Sequence, residues 1–130
     1  MVITAASTLE QVKKGIAEHT AWKARIQEAI DTRRSVVPVS HACLDYLCEF
    51  GRWLQENPDL RMFNPKHYDK VKKLHAAFHQ ELGNVLHFAL AGKRLEAKER
   101  CVYGGAYAQV QAALVAELTS WQRDLSKFSH

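Results

Sequence analysis

The chain has 130 residues, of which 47% are hydrophobic and 25% charged, and its formal net charge is +4. This size and composition predict a single soluble domain over 1–130 with enough apolar residues for a core, and argue against a loop-rich or disordered chain. No apolar run approaches the roughly 20 residues of a membrane-spanning helix, and the N-terminal residues lack a secretory signal. The three cysteines include no C-x-x-C pair, which argues against a disulfide framework, so we expect a cytoplasmic protein.

The first predicted element is a long amphipathic helix over about residues 8–34. Ser7 and Glu10 have the spacing of a capping box, which predicts Ser7 as the N-cap. Its apolar stripe recurs at steps of three and four residues with one step of seven: Leu9, Val12, Ile16, His19, Ile26 and Ile30. His19 therefore shares the buried face, although a lone histidine there is more typical of a core residue than of a ligand.

A short second helix is predicted within 41–56, and it carries the stretch LCEFGRW (47–53). Cys48 could be a small buried hydrophobe, the usual fate of a free cysteine. Gly51, however, permits a close backbone approach, and Trp53 is large enough to anchor the short helix. Together these two residues would fix the direction of the Cys48 sulfur.

A third helix is predicted over about 65–91, with Asn64 as N-cap, Pro65 as its first residue and Gly92 beyond its end. One or two further helical turns follow, and then a long final helix that Gly104-Gly105 either starts or kinks. The stripe of that helix comprises Val110, Leu114, Leu118, Trp121, Leu125 and Phe128. The predicted fold class is all-α: an antiparallel four-helix bundle with an additional short helix that carries Cys48.

His75 and His79, in the stretch HAAFH, are the sharpest local signal for chemistry. At i and i+4 on a helix, their imidazoles lie one turn apart on the same side and can present two nitrogens to one metal. The pair alone also fits two hydrogen-bonded or solvated imidazoles. With His19 and Cys48 it gives three imidazoles and one thiol, which suits the tetrahedral coordination of zinc. Iron–sulfur clusters need more cysteines, and calcium and magnesium prefer oxygen ligands.

Three motifs occur in order along the chain: EHTAW (18–22), CEFGRW (48–53) and HAAFH (75–79). In combination they resemble the chemoreceptor zinc-binding domain family of bacterial chemoreceptors and diguanylate cyclases, over about residues 8–128. The resemblance implies a four-helix bundle that holds one Zn²⁺. The implied ligands are His19, Cys48, His75 and His79, and the supporting motif residues are Trp22, Gly51 and Trp53. Where Phe50 precedes the glycine, the family more often has an aliphatic residue.

The resemblance also implies a regulatory function in chemotaxis or cyclic-di-GMP control. The expected partners are a signalling effector domain, a chemoreceptor or a diguanylate cyclase, and a second copy in a symmetric homodimer. Cys48 is implied to be the redox-sensitive, displaceable ligand that reports zinc level or hypochlorous acid. We expect no enzymatic activity, because four protein ligands leave no place for a substrate water and HAAFH lacks the glutamate of H-E-x-x-H.

Two alternatives remain open on the sequence. A structural zinc could hold a dimer together without any sensing. A di-iron bundle of the hemerythrin type would need bridging carboxylates on inward faces, and only His41 and Asp45 have a His-x-x-x-acid spacing. The other histidines are predicted to be structural or solvated: His41, His67, His87 and His130. The basic clusters are interspersed with acids and predict solvated helix faces, so we expect neither nucleic-acid binding nor membrane insertion.

Overall fold

The computed structural model describes residues 4–35 and 37–127, without the side chain of Phe63. Regular structure in these residues is entirely helical, which confirms the all-α prediction. The helices are α1 (Ala5–Thr32), α2 (Val39–Ala42), α3 (Glu49–Glu56), α4 (Leu60–Phe63), α5 (Pro65–Leu90), α6 (Arg94–Cys101) and α7 (Ala106–Ser126), with a 3-10 turn (Asp45–Leu47) between α2 and α3. Over the described ranges, none of these helices combines the length and apolar character needed to cross a membrane.

Helix α1 begins before the predicted residue 8, because its cap lies further upstream. Thr4 is the N-cap: its Oγ1 accepts a hydrogen bond from the Ser7 backbone N–H at 3.0 Å, and Ser7 Oγ accepts one from the Thr4 N–H at 3.1 Å. The prediction that Ser7 is the N-cap is therefore wrong. Ser7 occupies the third helical position and closes a capping box with Thr4. Arg33, with φ of 59°, terminates the helix.

The bounds predicted for the third helix, about 65–91, agree with the structure. Helix α5 starts at Pro65 after Asn64. Gly92 follows it with φ of 79°, a left-handed conformation that favours glycine after a helix. Helix α7 begins directly after Gly105, so the Gly104-Gly105 pair marks a helix start and not a kink. Phe128, predicted on the α7 stripe, lies outside the described residues.

Helices α1 and α5 run in the same direction, and α7 runs opposite to both. An ion pair of 3.6 Å joins Asp31, near the end of α1, to Arg94, just beyond the end of α5. His67, near the start of α5, contacts Asp124, near the end of α7, at 2.7 Å. The segment between α1 and α5 must therefore run back along the bundle, from the end of α1 to the start of α5.

That return segment is the fourth member of the bundle, and we call residues 37–63 the short-helix column. Its close contacts reach progressively earlier residues of α5: Ala42 to His79, Cys48 to His75, and Leu54 to Tyr68. The column thus descends α5 from its C-terminal to its N-terminal half. The four members alternate in direction, which agrees with the predicted antiparallel bundle, although one member is broken into several pieces.

The core lies between α1, α5 and α7 and is closed by the short-helix column. The predicted stripes supply it, and their fully buried members include Val12, Ile26, Ile30, Leu82, Leu114, Leu118 and Trp121. Complete burial of one large aliphatic side chain contributes about 1.5–3 kcal/mol to folding. Because His19, His75 and His79 lie on the same stripes, the packing that forms the core also directs their imidazoles inward.

Candidate metal centre

The structure brings together the four residues that the sequence singled out. His19 lies in the middle of α1, and His75 and His79 lie on successive turns of α5. Cys48 is the N-cap of α3 and so stands immediately before the short helix on which it was expected. The side chains of the three histidines are 0%, 1% and 3% exposed, whereas Cys48 is half-buried. One ligand atom from each of the four lies within 4.8 Å of the others.

The separations within the cluster are those of a small coordination sphere. Cys48 Sγ lies 3.2 Å from His75 Nε2 and 3.9 Å from His19 Nε2. The two Nε2 atoms of His19 and His75 are 2.9 Å apart. Around a tetrahedral zinc with bonds of about 2.0–2.3 Å, neighbouring ligand atoms are separated by roughly 3.3–3.6 Å. Small adjustments of these side chains would therefore accommodate one ion.

Backbone carbonyls fix the tautomers of two of the histidines. His19 Nδ1 lies 2.7 Å from the Gly15 carbonyl oxygen, and His79 Nδ1 lies 2.8 Å from that of Ala42. A carbonyl can only accept a hydrogen bond, so each Nδ1 carries the proton and donates it. Each Nε2 then keeps a free lone pair that faces the cluster, which is the usual second-shell arrangement of a metal-bound imidazole.

His79 supplies the clearest test of whether a metal fits. Among the described residues, its buried Nε2 has no hydrogen-bond partner. A buried polar atom without a partner is unfavourable and rare. A cation among the four residues would satisfy this nitrogen together with the other three ligand atoms, so the donor set fits zinc.

The local backbone around Cys48 depends on Gly51. The Gly51 N–H donates a hydrogen bond to Cys48 Sγ at 3.2 Å. A Cβ at this position would overlap the Asp45 carbonyl oxygen and would come within 2.9 Å of His75 Cε1. Only glycine therefore allows the 3-10 turn and α3 to approach α5 this closely. On the other side of α3, the half-buried Trp53 lies against Trp121 of α7, with ring centroids 6.0 Å apart.

Burial sets the charge states of the ligands. It lowers the pKa of His19 to about 4 and that of His75 to about 2, and it also lowers the pKa of His79. At neutral pH the three imidazoles are therefore uncharged, the form that binds a metal. Burial raises the pKa of the Cys48 thiol to about 11, against the opposing effect of the Gly51 hydrogen bond. A thiolate here requires a cation beside it.

Sequence reasoning missed two residues that support the cluster. Gly15 accepts the hydrogen bond from His19, and a Cβ on it would come within 2.6 Å of Phe50 Cδ1. A glycine inside a helix, four residues before a histidine, was a usable signal for such a close approach. Ala42 acts only through its backbone carbonyl, for which the sequence contains no signal.

The remaining histidines and cysteines lie outside the cluster. His41 and His87 are exposed, and His67 is buried between α5 and α7. Cys43 is exposed and Cys101 is half-buried, while His130 lies beyond the described residues. Over residues 4–35 and 37–127, the His₃Cys cluster is the one group found with metal-ligand geometry. No carboxylate-bridged pair of sites accompanies it there, so the di-iron alternative has no structural support.

Comparison with known proteins gives an independent identification. The model of the chemoreceptor zinc-binding domain matches residues 19–86, which is more than half of the chain and includes all four residues of the cluster. Comparison with curated proteins found no match, and neither did comparison with solved structures. The family is a regulatory zinc-binding domain, and a cluster of three imidazoles and one thiol is a zinc-binding set. The chain belongs to the chemoreceptor zinc-binding domain family, and its cofactor is Zn²⁺.

Proposed function

We propose that this domain is a zinc-dependent sensor of bacterial signal transduction, acting in chemotaxis or cyclic-di-GMP control. In this proposal His19, Cys48, His75 and His79 hold one Zn²⁺, and Cys48 is the ligand that leaves. The observation that carries the proposal is the unequal support of the four side chains. Three imidazoles lie on two long helices, and the thiol lies at the start of a helix of eight residues.

The composition of the site supports regulation over catalysis. Zinc sites with four protein ligands leave no open position for water or substrate, unlike the three-ligand sites of zinc hydrolases. When bound, Zn²⁺ supplies the positive charge beside which Cys48 is held as a thiolate. The residues around it position ligands: Gly15 and Ala42 orient imidazoles through their carbonyls. Zinc occupancy is therefore linked to the folding of the segment that carries Cys48.

Cys48 is the least constrained of the four ligands. It is half-buried, whereas the three imidazoles are almost fully buried. Its helix α3 is attached to α5 by a hydrogen bond of 2.9 Å from the Tyr68 hydroxyl to the Leu54 carbonyl. A helix of two turns has little stability of its own. Release of the sulfur would therefore loosen the start of α3 while the histidines stay in place.

Two inputs can release Cys48, and both belong to the proposal. A fall in free zinc empties the site by mass action and shifts the population towards the unclamped state. Alternatively, a hypochlorous-acid-type oxidant removes two electrons from the thiolate sulfur. Thiolate and hypochlorous acid then give a sulfenic acid and chloride, and further oxidation follows the sulfinic and sulfonic steps. An oxidised sulfur is no longer a thiolate ligand.

The proposed partners are a second copy of the domain and a signalling effector, either a chemoreceptor or a diguanylate cyclase. Family membership supports this part of the proposal. The competing candidate is a structural zinc that stabilises a dimer without sensing. It uses the same four residues but predicts that zinc is lost only when the whole domain unfolds.

The test is an oxidant titration of the zinc-loaded protein at neutral pH. Released zinc is followed with a chromophoric chelator, and the oxidation state of each cysteine is followed by mass spectrometry. We expect zinc release to rise in step with oxidation of Cys48 while circular dichroism stays helical. A matched control variant, Cys43→Ser/Cys101→Ser, keeps only the cluster cysteine and should give the same titration.

Two results would count against redox sensing. One is zinc release that precedes Cys48 oxidation or requires loss of helical structure, which would favour the structural zinc. The other is a site that retains both zinc and reduced Cys48 under excess oxidant. In that case, graded removal of zinc with chelators of known affinity would test the zinc-sensing input alone.

A further inference from the structure

The tryptophan of the short-helix column, Trp53, makes contacts beyond the metal cluster. Trp53 lies on α3, one turn after Phe50, and their ring centroids are 5.5 Å apart. The Phe50 ring in turn lies 5.3 Å from that of His75. On its other side, Trp53 lies 6.0 Å from Trp121, a fully buried residue of α7. Helix α3 is thus in contact with both the metal cluster and α7.

Trp121 is held by rings and not by a hydrogen bond. Its indole N–H is buried and has no partner within the described part of the chain. One stacking neighbour is His67 of α5, whose ring lies 5.9 Å away and is tilted by only 14°. Aromatic pairs of this kind contribute about 0.5–1.5 kcal/mol beyond their burial. Displacement of Trp53 would therefore remove one of the aromatic contacts that hold the Trp121 ring.

His67 ties the same stretch of α7 to α5. Its Nδ1 lies 3.0 Å from Glu117 Oε1, and its Nε2 lies 2.7 Å from Asp124 Oδ2. Each ring nitrogen therefore lies within hydrogen-bond distance of one carboxylate oxygen on α7. Lys70 Nζ lies 3.2 Å from the second oxygen of Glu117. The two carboxylates lie on either side of Trp121 in the sequence, and α7 is thus held at three consecutive turns.

We infer that Trp53, Trp121 and His67 couple the position of α3 to the local stability of the C-terminal half of α7, residues 117–126. This inference rests on the proposed function, in which α3 is the element that zinc holds. When Cys48 is released and α3 shifts, Trp53 leaves the face of Trp121. The stack on His67 and the hydrogen bonds to Glu117 and Asp124 then lose the support that fixes their geometry.

The N-terminal half of α7 provides an internal comparison. Its contacts are with the histidine-bearing helices: Gln111 Nε2 donates to the His19 carbonyl at 3.3 Å, and Tyr107 lies against Phe78 at 5.5 Å. These contacts do not pass through α3. The coupling therefore predicts a response to zinc in residues 117–126 and none of comparable size in residues 106–114.

The experiment is hydrogen–deuterium exchange by mass spectrometry on the zinc-loaded and the chelator-stripped full chain. In the wild type, we expect zinc removal to speed exchange about fivefold or more in residues 49–56 and 117–126, with little change in 106–114. In Trp53→Leu, residues 49–56 should still respond, but exchange in 117–126 should be the same with and without zinc. Trp53→Phe, a smaller change, should reduce the response less.

Tyr68→Phe is the matched control, because it removes a hydrogen bond between α5 and α3 and leaves Trp53 and Trp121 unchanged. It should leave the zinc response of residues 117–126 intact. The inference is overturned if 117–126 respond equally in Trp53→Leu, if they do not respond in the wild type, or if 106–114 respond to the same extent. If exchange in residues 49–56 of the wild type did not change on zinc removal, the proposed function itself would be contradicted.

Discussion

The four residues of the metal cluster come from two unlike regions of the molecule. The first, which we call the histidine platform, consists of His19, His75 and His79 on helices of 28 and 26 residues. The second is the short-helix column, which holds Cys48 and whose longest helix has eight residues. Long helices in a packed core keep their shape without a metal, whereas isolated two-turn helices do not. The comparison shows that one coordination sphere can draw its ligands both from long, well-packed helices and from a segment of short helices.

Removal of two imidazoles from the platform should have the largest effect. In His75→Ala/His79→Ala, the two remaining residues cannot form a tetrahedral site, so we expect zinc affinity to fall by at least about a thousandfold. Competition with a chromophoric chelator measures this. The exposed pair His41→Ala/His87→Ala is the control and should bind as the wild type does. Undiminished one-to-one zinc in the first variant would contradict the ligand assignment.

Removal of the thiol ligand, Cys48, should have a smaller effect on zinc affinity. Cys48→Ala leaves the three imidazoles, so we expect zinc affinity to fall by less than in the histidine double variant while the domain stays folded. The same chelator competition, with circular dichroism, tests both halves of this statement. If Cys48→Ala lost as much affinity as the histidine double variant, the division into platform and column would fail.

The packing of α3 against the 3-10 turn and α5 should be sensitive to a single added methyl group. In Gly51→Ala the new Cβ meets the Asp45 carbonyl oxygen, which belongs to the backbone and cannot move cheaply. We expect a loss of about 1–3 kcal/mol in the free energy of unfolding, measured by urea denaturation. Gln55→Ala, at an exposed position of the same helix, should have almost no effect. Equal stability of the two variants would show that the column tolerates displacement.

The metal-free platform should respond to acid. Folded His19 and His75 have pKa values of about 4 and about 2, below the ordinary value near 6.5 that they regain on unfolding. Below pH 6.5 the unfolded chain therefore binds more protons, and stability falls as the pH decreases towards 4. We expect a loss on the order of 1 kcal/mol per pH unit or more, measured by urea denaturation of chelator-treated protein. A flat profile between pH 7 and 5 would contradict the burial of these imidazoles.

Local patterns in the sequence were sufficient for the platform. Helical periodicity places His19 on the stripe of α1, and the i, i+4 spacing places His75 and His79 on one face of α5. The packing of these stripes into one core then brings the imidazoles together. The long helices were predictable for the same reason. The cap of α1 was assigned to Ser7 because Ser7 and Glu10 have capping-box spacing, whereas the structure closes the capping box between Thr4 and Ser7.

The short-helix column and its contacts were harder to predict from the sequence. Its division into α2, a 3-10 turn, α3 and α4 depends on how it packs against α5, which no window of sequence contains. His67 was expected to be structural or solvated, and the two carboxylates that contact its ring lie 50 and 57 residues away on α7. Pairings at that separation follow from the topology of the bundle and not from local spacing.

The hydrogen bond from His79 to the Ala42 carbonyl has a consequence for reversibility. It fixes the start of the short-helix column to the platform, six residues before Cys48. A released thiol is therefore tethered, with a reach of about 20 Å at full extension. Its effective concentration at the vacant position stays on the order of millimolar. Recapture of the sulfur is then an intramolecular event that is independent of protein concentration, so the domain can return to its starting state without refolding.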